Sequence, residues 1–196
     1  MGGWIKSNED DKKVENYSTK IIFLDIDGVL CTHRACVPKN DEGIFTYLDP
    51  VGIDMLNDIC DKTGAKIVVS SSWRKLTKNM DMVLASAGLK QKHLYFSIHD
   101  NNNHGFYTPH VSVKGNDRGY EIEDWLEHHS NITDYIILDD NTDFLDHQKP
   151  FLVQTDCYDG IGYRDYKKVL QLFGYGNGPP IELWNQVESE NSVKKE

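Results

Sequence analysis

Two aspartates follow a short apolar run near the start of the chain. In the stretch IIFLDIDGVL, Asp25 and Asp27 come directly after four apolar residues, and Gly28 permits a sharp turn behind them. A carboxylate held at the end of a rigid strand can act as a nucleophile. A second carboxylate two residues on can transfer protons, because two acids in one site push their pKa values apart. Asp25 and Asp27 are therefore the predicted catalytic pair.

Polar residues also follow two later apolar runs. KIVV is followed by serines at 70–72, and YIIL is followed by Asp139 and Asp140, with Asp143 three residues further on. Carboxylate and carbonyl oxygens are the ligands that Mg²⁺ prefers. The predicted Mg²⁺ ligands are Asp25, the backbone carbonyl of Asp27, and Asp139, with Asp140 or Asp143 assisting.

The elements that must position these residues alternate along the chain. Apolar runs predict strands, and segments with a 3.6-residue apolar period predict helices. The predicted strands are 21–24, 66–70, 135–140 and 151–156, and the predicted helices are 50–63, 72–89, 118–129 and 163–174. This alternation predicts a Rossmann-like three-layer α/β sandwich with a mainly parallel central sheet. Ligands of such sheets bind at the carboxyl ends of the strands, where this sequence places its acids and serines.

Motifs in this order resemble those of the haloacid dehalogenase (HAD) superfamily of phosphohydrolases. The stretches SSSWR, RGYEIEDWL, YIILDDNTDF and VQTD are most similar to the HAD domain of Swiss Army Knife RNA-repair proteins, and the resemblance covers residues 20–173. It implies an Mg²⁺-dependent phosphomonoester hydrolase. Asp25 would form an aspartyl-phosphate, and Asp27 would protonate the leaving oxygen and later deprotonate water.

Two further motif positions each have two candidates. Ser70 or Ser71, with the amides of the following helix start, would hold phosphate oxygens. Arg118 or Lys114 would neutralise charge on the transferring phosphoryl group. Taken singly, such residues are also typical of helix caps and Asx turns. Acids or hydroxyls at three successive strand ends favour a catalytic site over that interpretation.

The substrate is predicted from the lengths of two segments. Neither 31–48 nor 90–117 is long enough for a cap domain with its own core, so we expect a minimal cap or none. An open site admits a macromolecule. The expected substrate walls are His33, Arg34, Arg74, Phe106 and Tyr107. A phosphoprotein, including phosphotyrosine, is slightly favoured; the alternatives are 3′-phosphorylated nucleic acid, a small nucleotide, and a non-enzymatic binding module, whose signature would be the loss of Asp25.

Composition limits the setting of the protein. The 196 residues are 39% hydrophobic and 27% charged, with a formal net charge of −10. An acidic surface repels polyphosphate, so broad nucleic-acid binding is not expected. The sequence has no apolar run near the roughly 20 residues of a membrane span and no signal-peptide pattern, which predicts a cytoplasmic or intracellular protein. We expect a flexible leader (1–19), one domain (20–174) and a partly disordered tail (175–196).

Overall fold

A four-stranded parallel sheet forms the centre of the protein. The computed structural model describes residues 19–33, 35, 48–77, 79–96, 105–111 and 117–176. The strands are β1 (Thr19–Leu24), β2 (Lys66–Val69), β3 (Ile132–Asp139) and β4 (Leu152–Gln154), in the spatial order β2-β1-β3-β4. All three pairings are parallel, so the carboxyl ends of the strands share one edge.

Helices cover both faces of this sheet. They are α1 (Pro50–Thr63), α2 (Met80–Ser86), α3 (Asp117–Glu127) and α4 (Tyr163–Leu172). On one face, β1 packs against α1, α2 and α4 through Ile22, Leu24, Ile53, Leu56, Leu84 and Val169. On the other, Phe23 of β1 packs edge-on against Trp125 of α3, with ring centroids 5.3 Å apart. The predicted three-layer α/β sandwich is confirmed.

Helix α1 begins and ends where its sequence signals predict. The Asp49 side chain accepts a hydrogen bond from the Val51 amide at 3.0 Å, and Pro50 is the first helical residue. Gly64 adopts a left-handed φ of 73°, and its amide donates to the Cys60 carbonyl. Cys60 lies in the core, and burial raises the pKa of its thiol to about 12.

The single helix predicted for 72–89 is wrong. A 3₁₀ turn (Ser72–Lys75) follows β2, and α2 starts only at Met80. Two hydroxyls compete with the helical pattern: Ser71 accepts from the Trp73 amide, and Thr77 accepts from the Asn79 amide at 3.1 Å. The break leaves the 3₁₀ turn at the carboxyl edge of the sheet, beside Asp27.

The remaining predicted elements are present with shifted bounds. β3 begins three residues before the predicted 135, and β4 is shorter than the predicted 151–156. The predicted leader and tail lie almost wholly outside the described residues and stay predictions, although Thr19 already belongs to β1. Within the described part of the chain, no helix is both long and apolar enough to span a bilayer.

Candidate active site

Asp25 extends from the end of β1 into a buried position. Its amide donates to the Leu138 carbonyl at 2.9 Å, which continues the pairing with β3 by one residue. The carboxylate is buried, and its Oδ1 accepts a hydrogen bond of good geometry from no described residue. Burial raises the pKa of Asp25, against the lowering effect of the Arg118 charge and the Ser71 hydroxyl.

Two more acids meet Asp25 from the neighbouring strand. Carboxylate oxygens of Asp25, Asp139 and Asp140 all lie within 4.8 Å of one another. Burial and the negative charge of Asp25 raise the pKa of Asp139 from 3.8 to about 7. Three crowded carboxylates with little solvent form an unfavourable arrangement that a cation relieves. All the potential ligand atoms of this cluster are hard carboxylate oxygens, and one of them, Asp25 Oδ1, has no hydrogen-bond partner among the described residues. These residues therefore fit Mg²⁺.

Arg118 connects this acid cluster to the end of β2. It lies in the first turn of α3, and its Nη1 is 3.2 Å from Asp25 Oδ1 and 3.1 Å from Asp139 Oδ2. The same nitrogen donates to the Ser70 carbonyl. Burial disfavours the guanidinium charge, but the Asp25 and Asp139 carboxylates outweigh that effect and raise the pKa of Arg118. The guanidinium therefore stays charged beside the acids.

The two candidate serines point in different directions. The Ser70 hydroxyl lies 3.5 Å from the Thr108 hydroxyl in the protein interior. The Ser71 hydroxyl interacts with Asp25 and also accepts from the Trp73 amide at the start of the 3₁₀ turn. Only the Ser71 hydroxyl therefore faces the acid cluster.

Asp27 lies on the solvent side of the cluster. Its side chain is exposed and is not among the crowded carboxylates, and the indole Nε1 of Trp73 donates to its Oδ1 at 2.9 Å. Gly28 follows with a φ of 69°, and a Cβ there would overlap the Asp140 carboxylate. A residue with a side chain would push Asp140 away from the other acids. Gly28 is thus required both by its backbone conformation and by this close approach.

An ion pair joins the loop after β2 to helix α3. Arg74 Nη2 lies 2.5 Å from Glu121 Oε1, with side chains only 8% and 4% exposed. Arg74 Nη1 also donates to the Ser71 carbonyl at 2.6 Å, and His110 Nδ1 lies 3.2 Å from the same Glu121 oxygen. The pair fixes Ser71 relative to Arg118, since Glu121 follows Arg118 by one helical turn.

A cleft of about 230 Å³ opens beside the cluster. Its lining consists of Ser72, Arg74, Lys75, His110, Asp117, Arg118, Glu121, Asp139, Asn141 and Asp143. Asp139 and Arg118 thus face both the buried acids and the open cleft. The cleft therefore adjoins the acid cluster on the side where the Arg118 guanidinium lies.

Comparison with known proteins identifies the family. Residues 21–165 match the family described as the HAD domain in Swiss Army Knife RNA repair proteins. The match runs from β1 to the start of α4 and includes every acid of the cluster. The chain belongs to this family. No curated protein and no solved structure gives a significant match.

Family membership explains why acids, serines and a basic residue occupy these strand ends. HAD domains of this kind are phosphohydrolases and generally use Mg²⁺. The HAD motifs predicted from the sequence converge here: Asp25, Ser71, Arg118, Asp139 and Asp140 contact one another directly or through one neighbour. Asp143 lines the cleft with an exposed side chain but is not one of the crowded carboxylates.

Other expected site residues lie elsewhere in this HAD domain or are not described. Lys114 and Arg34 lie outside the described residues. His33 is exposed and stacks on Tyr158. The rings of Phe106 and Tyr107 pack against the hydrophobic core, and neither residue lines the cleft.

The structure gives three residues a role in the site that the sequence did not predict. Trp73 was not among the predicted site residues; it packs against the hydrophobic core, and its indole N–H donates to Asp27. Arg74 was expected only as a substrate wall, and Glu121 was not identified at all. A signal for Glu121 was present: it precedes the buried Ile122 and lies one turn from Trp125, so an acid falls on the apolar face of α3.

Proposed function

We propose that this HAD domain hydrolyses a phosphate monoester at the end of a nucleic acid. Asp25 is the nucleophile, and Asp27 is the general acid and base. The observation that carries the proposal is the buried Asp25 carboxylate, whose Oδ1 lacks a good hydrogen bond while Arg118, Asp139 and Asp140 converge on it. A buried carboxylate oxygen that lacks a hydrogen-bond donor of good geometry and lies beside a guanidinium is suited to attack on phosphorus.

The reaction proceeds by two transfers at phosphorus. A carboxylate oxygen of Asp25 forms a bond to phosphorus as the bond from phosphorus to the leaving oxygen breaks, and Asp27 gives that oxygen its proton. Asp27 then takes a proton from water, which attacks phosphorus. The bond to Asp25 breaks, inorganic phosphate leaves, and both aspartates return to their starting states. Trp73 orients Asp27 through the indole hydrogen bond.

Charged and polar neighbours stabilise the transferring group. Arg118, already fixed by Asp139, offers positive charge toward the phosphoryl oxygens. Ser71 is the phosphate-binding serine of this proposal, because its hydroxyl faces Asp25 whereas that of Ser70 faces Thr108. The ion pair between Arg74 and Glu121 holds Ser71 in a fixed position relative to Arg118.

Asp25, Asp139 and Asp140 would hold Mg²⁺, with the backbone carbonyl of Asp27 as a further oxygen. When bound, Mg²⁺ offsets the repulsion between these carboxylates and the phosphate dianion. Asp143 lines the cleft and would assist as an outer oxygen. Among the described residues, Arg118 is the cation within 4 Å of Asp25 and Asp139, and its single charge does not balance three acids, which favours an additional cation.

The substrate proposal draws on the family. Its description names RNA repair proteins, which favours a nucleic-acid end such as a 3′-phosphate over the phosphoprotein that composition slightly favoured. A phosphoprotein remains the second candidate because the net charge is −10, which disfavours contact with long polyphosphates.

A substrate panel tests the proposal. Phosphate release is measured from a 3′-phosphorylated oligonucleotide, a phosphotyrosine peptide, a phosphoserine peptide and free nucleotides, with Mg²⁺ and with chelator. We expect the oligonucleotide to be the best substrate and release to require both Mg²⁺ and Asp25. Asp146→Asn is the matched control for Asp25→Asn, since its side chain is 97% exposed. Release that persists in Asp25→Asn would overturn the nucleophile assignment.

A further inference from the structure

Two aromatic rings stack on each other at the protein surface. The centroids of His33 and Tyr158 lie 4.9 Å apart, with an angle of 30° between the ring planes. Both side chains are exposed, and Tyr158 retains 64% of its accessible surface. Since stacking can cover only one face of each ring and both residues remain exposed, the pair offers aromatic surface to a further planar group.

The stacked pair lies near the proposed acid and base. Cys31 pairs with Asp27 through an isolated bridge, in which the Gly28 amide donates to the Cys31 carbonyl at 2.8 Å. Bridged backbones are about 5 Å apart, and two further residues to His33 add at most about 7 Å. The Cα atom of His33 is therefore within about 12 Å of the Cα atom of Asp27. A few stacked nucleotides, at about 3.4 Å each, span that distance.

The segment that carries Tyr158 is held firmly against the loop after β1. The Asp156 side chain accepts from the Tyr158 amide at 2.8 Å, which closes an Asx turn. The Thr155 hydroxyl donates to the Gly28 carbonyl at 2.8 Å, and the Ile161 amide donates to Val29 at 3.0 Å. A ring presented by such a fixed turn loses little conformational entropy when a ligand stacks on it.

We propose that the His33–Tyr158 pair stacks on a nucleobase of the substrate, one to a few nucleotides from the phosphate that is removed. The inference rests on the proposed function and specifies how that site would recognise nucleic acid. With a net charge of −10, the chain gains little from attraction to the phosphate backbone. Stacking needs no positive charge and accepts every base, so it suits an acidic protein that acts on strand ends.

Binding of intact and abasic RNA, measured with and without Tyr158→Ala, tests the stacked His33–Tyr158 pair without requiring catalytic turnover. The protein carries Asp25→Asn, Mg²⁺ is present, and the ligand is a labelled single-stranded RNA with a 3′-phosphate, intact or with abasic residues at its last three positions. We expect abasic replacement to weaken binding by about 5-fold to 140-fold, the equivalent of about 1–3 kcal/mol per stacked base. In the Tyr158→Ala background this penalty should fall below twofold.

The control is another exposed tyrosine in the same region. Tyr163 is 67% exposed and stacks on Tyr166 of its own helix, so Tyr163→Ala should keep the full abasic penalty. An equal penalty in Tyr158→Ala and Tyr163→Ala, or no binding of the RNA at all, would overturn the inference. So would loss of phosphotyrosine-peptide binding in Tyr158→Ala with RNA binding unchanged.

These binding measurements separate this inference from the proposed hydrolase. RNA that binds through Tyr158 without any phosphate release by the wild type would support the stacking site and contradict the hydrolase. Phosphate release that needs Asp25, combined with an abasic penalty unaffected by Tyr158→Ala, would support the hydrolase and contradict the stacking site.

Discussion

Removing one buried carboxylate should change how stability depends on pH in the absence of metal. In the folded protein the pKa of Asp139 is about 7 instead of 3.8, because the carboxyl is buried and lies beside Asp25. The folded state therefore binds this proton more tightly than the unfolded chain. The stabilisation of the folded state by this bound proton is complete below about pH 3.8 and is lost as the pH rises to about 7.

The size of this effect follows from the two pKa values. The difference between 3.8 and about 7, at about 1.36 kcal/mol per pKa unit, corresponds to about 4 kcal/mol. Between pH 4.5 and pH 8, where most of the titration occurs, Asp139→Asn should therefore gain about 3–4 kcal/mol relative to wild type. Asparagine does not titrate, and its side-chain oxygen can still accept from the Asn141 amide.

Urea unfolding in chelator at pH 4.5 and pH 8 measures the change. Asp143→Asn is the control, because the exposed Asp143 carboxylate should alter the free energy of unfolding by no more than about 0.5 kcal/mol at either pH. Adding Mg²⁺ at pH 8 should stabilise wild type by about 2.7 kcal/mol at 100 times the dissociation constant, and Asp139→Asn far less. If wild type and Asp139→Asn differ by the same amount at both pH values, the electrostatic account of the acid cluster is refuted.

Three further substitutions test the surroundings of the site. Trp73→Phe removes the indole donor to Asp27 and should lower kcat about tenfold with little change in the thermal melt; an unchanged kcat would argue against the orienting role. Gly28→Ala forces a side chain into the Asp140 carboxylate and should weaken Mg²⁺ binding at least tenfold by calorimetry, whereas wild-type affinity would contradict the close approach. Glu121→Gln leaves its buried arginine partner unpaired and should destabilise the protein by about 3–5 kcal/mol in urea; a loss under 1 kcal/mol would count against that pair.

The fold was predictable because its signals are local. Continuous apolar runs mark strands covered on both faces, and β1 and β2 are buried as that pattern requires. Asp49, Pro50 and Gly64 encode the start and end of α1 through hydrogen bonds only a few residues long. Parallel pairing then follows from the alternation of strands and helices, which brings the strand ends to one edge.

The break between the 3₁₀ turn and α2 could not be predicted from periodicity. Met80 and Leu84 are buried on one helical stripe, and the apolar residues Leu76 and Trp73 continue that stripe backwards at helical spacing. The competing hydrogen bonds of Ser71 and Thr77 decide the outcome, and their side-chain directions depend on the tertiary environment.

Within the site, sequence located the strand ends but not the direction of each side chain. Adjacent serines point to opposite sides of an extended backbone, so only the position of Arg118 and Asp25 separates Ser71 from Ser70. The Arg74–Glu121 contact joins residues far apart in the chain, and no local pattern encodes it. The sequence thus placed Asp25 and Asp139 at neighbouring strand ends but left Asp140 and Asp143 as alternatives, and the structure brings Asp140 to the other two acids.

Detection of a phosphoenzyme tests the central claim most directly. Wild type is mixed with a 3′-phosphorylated oligonucleotide in Mg²⁺, quenched in acid within one turnover, digested and analysed by mass spectrometry. The account predicts a phosphoryl group on the peptide that contains Asp25, with slower formation and slower breakdown in Asp27→Asn and complete absence in Asp25→Asn. Turnover of any phosphomonoester by Asp25→Asn at the wild-type rate, with no phosphorylated peptide, would contradict Asp25 as the nucleophile.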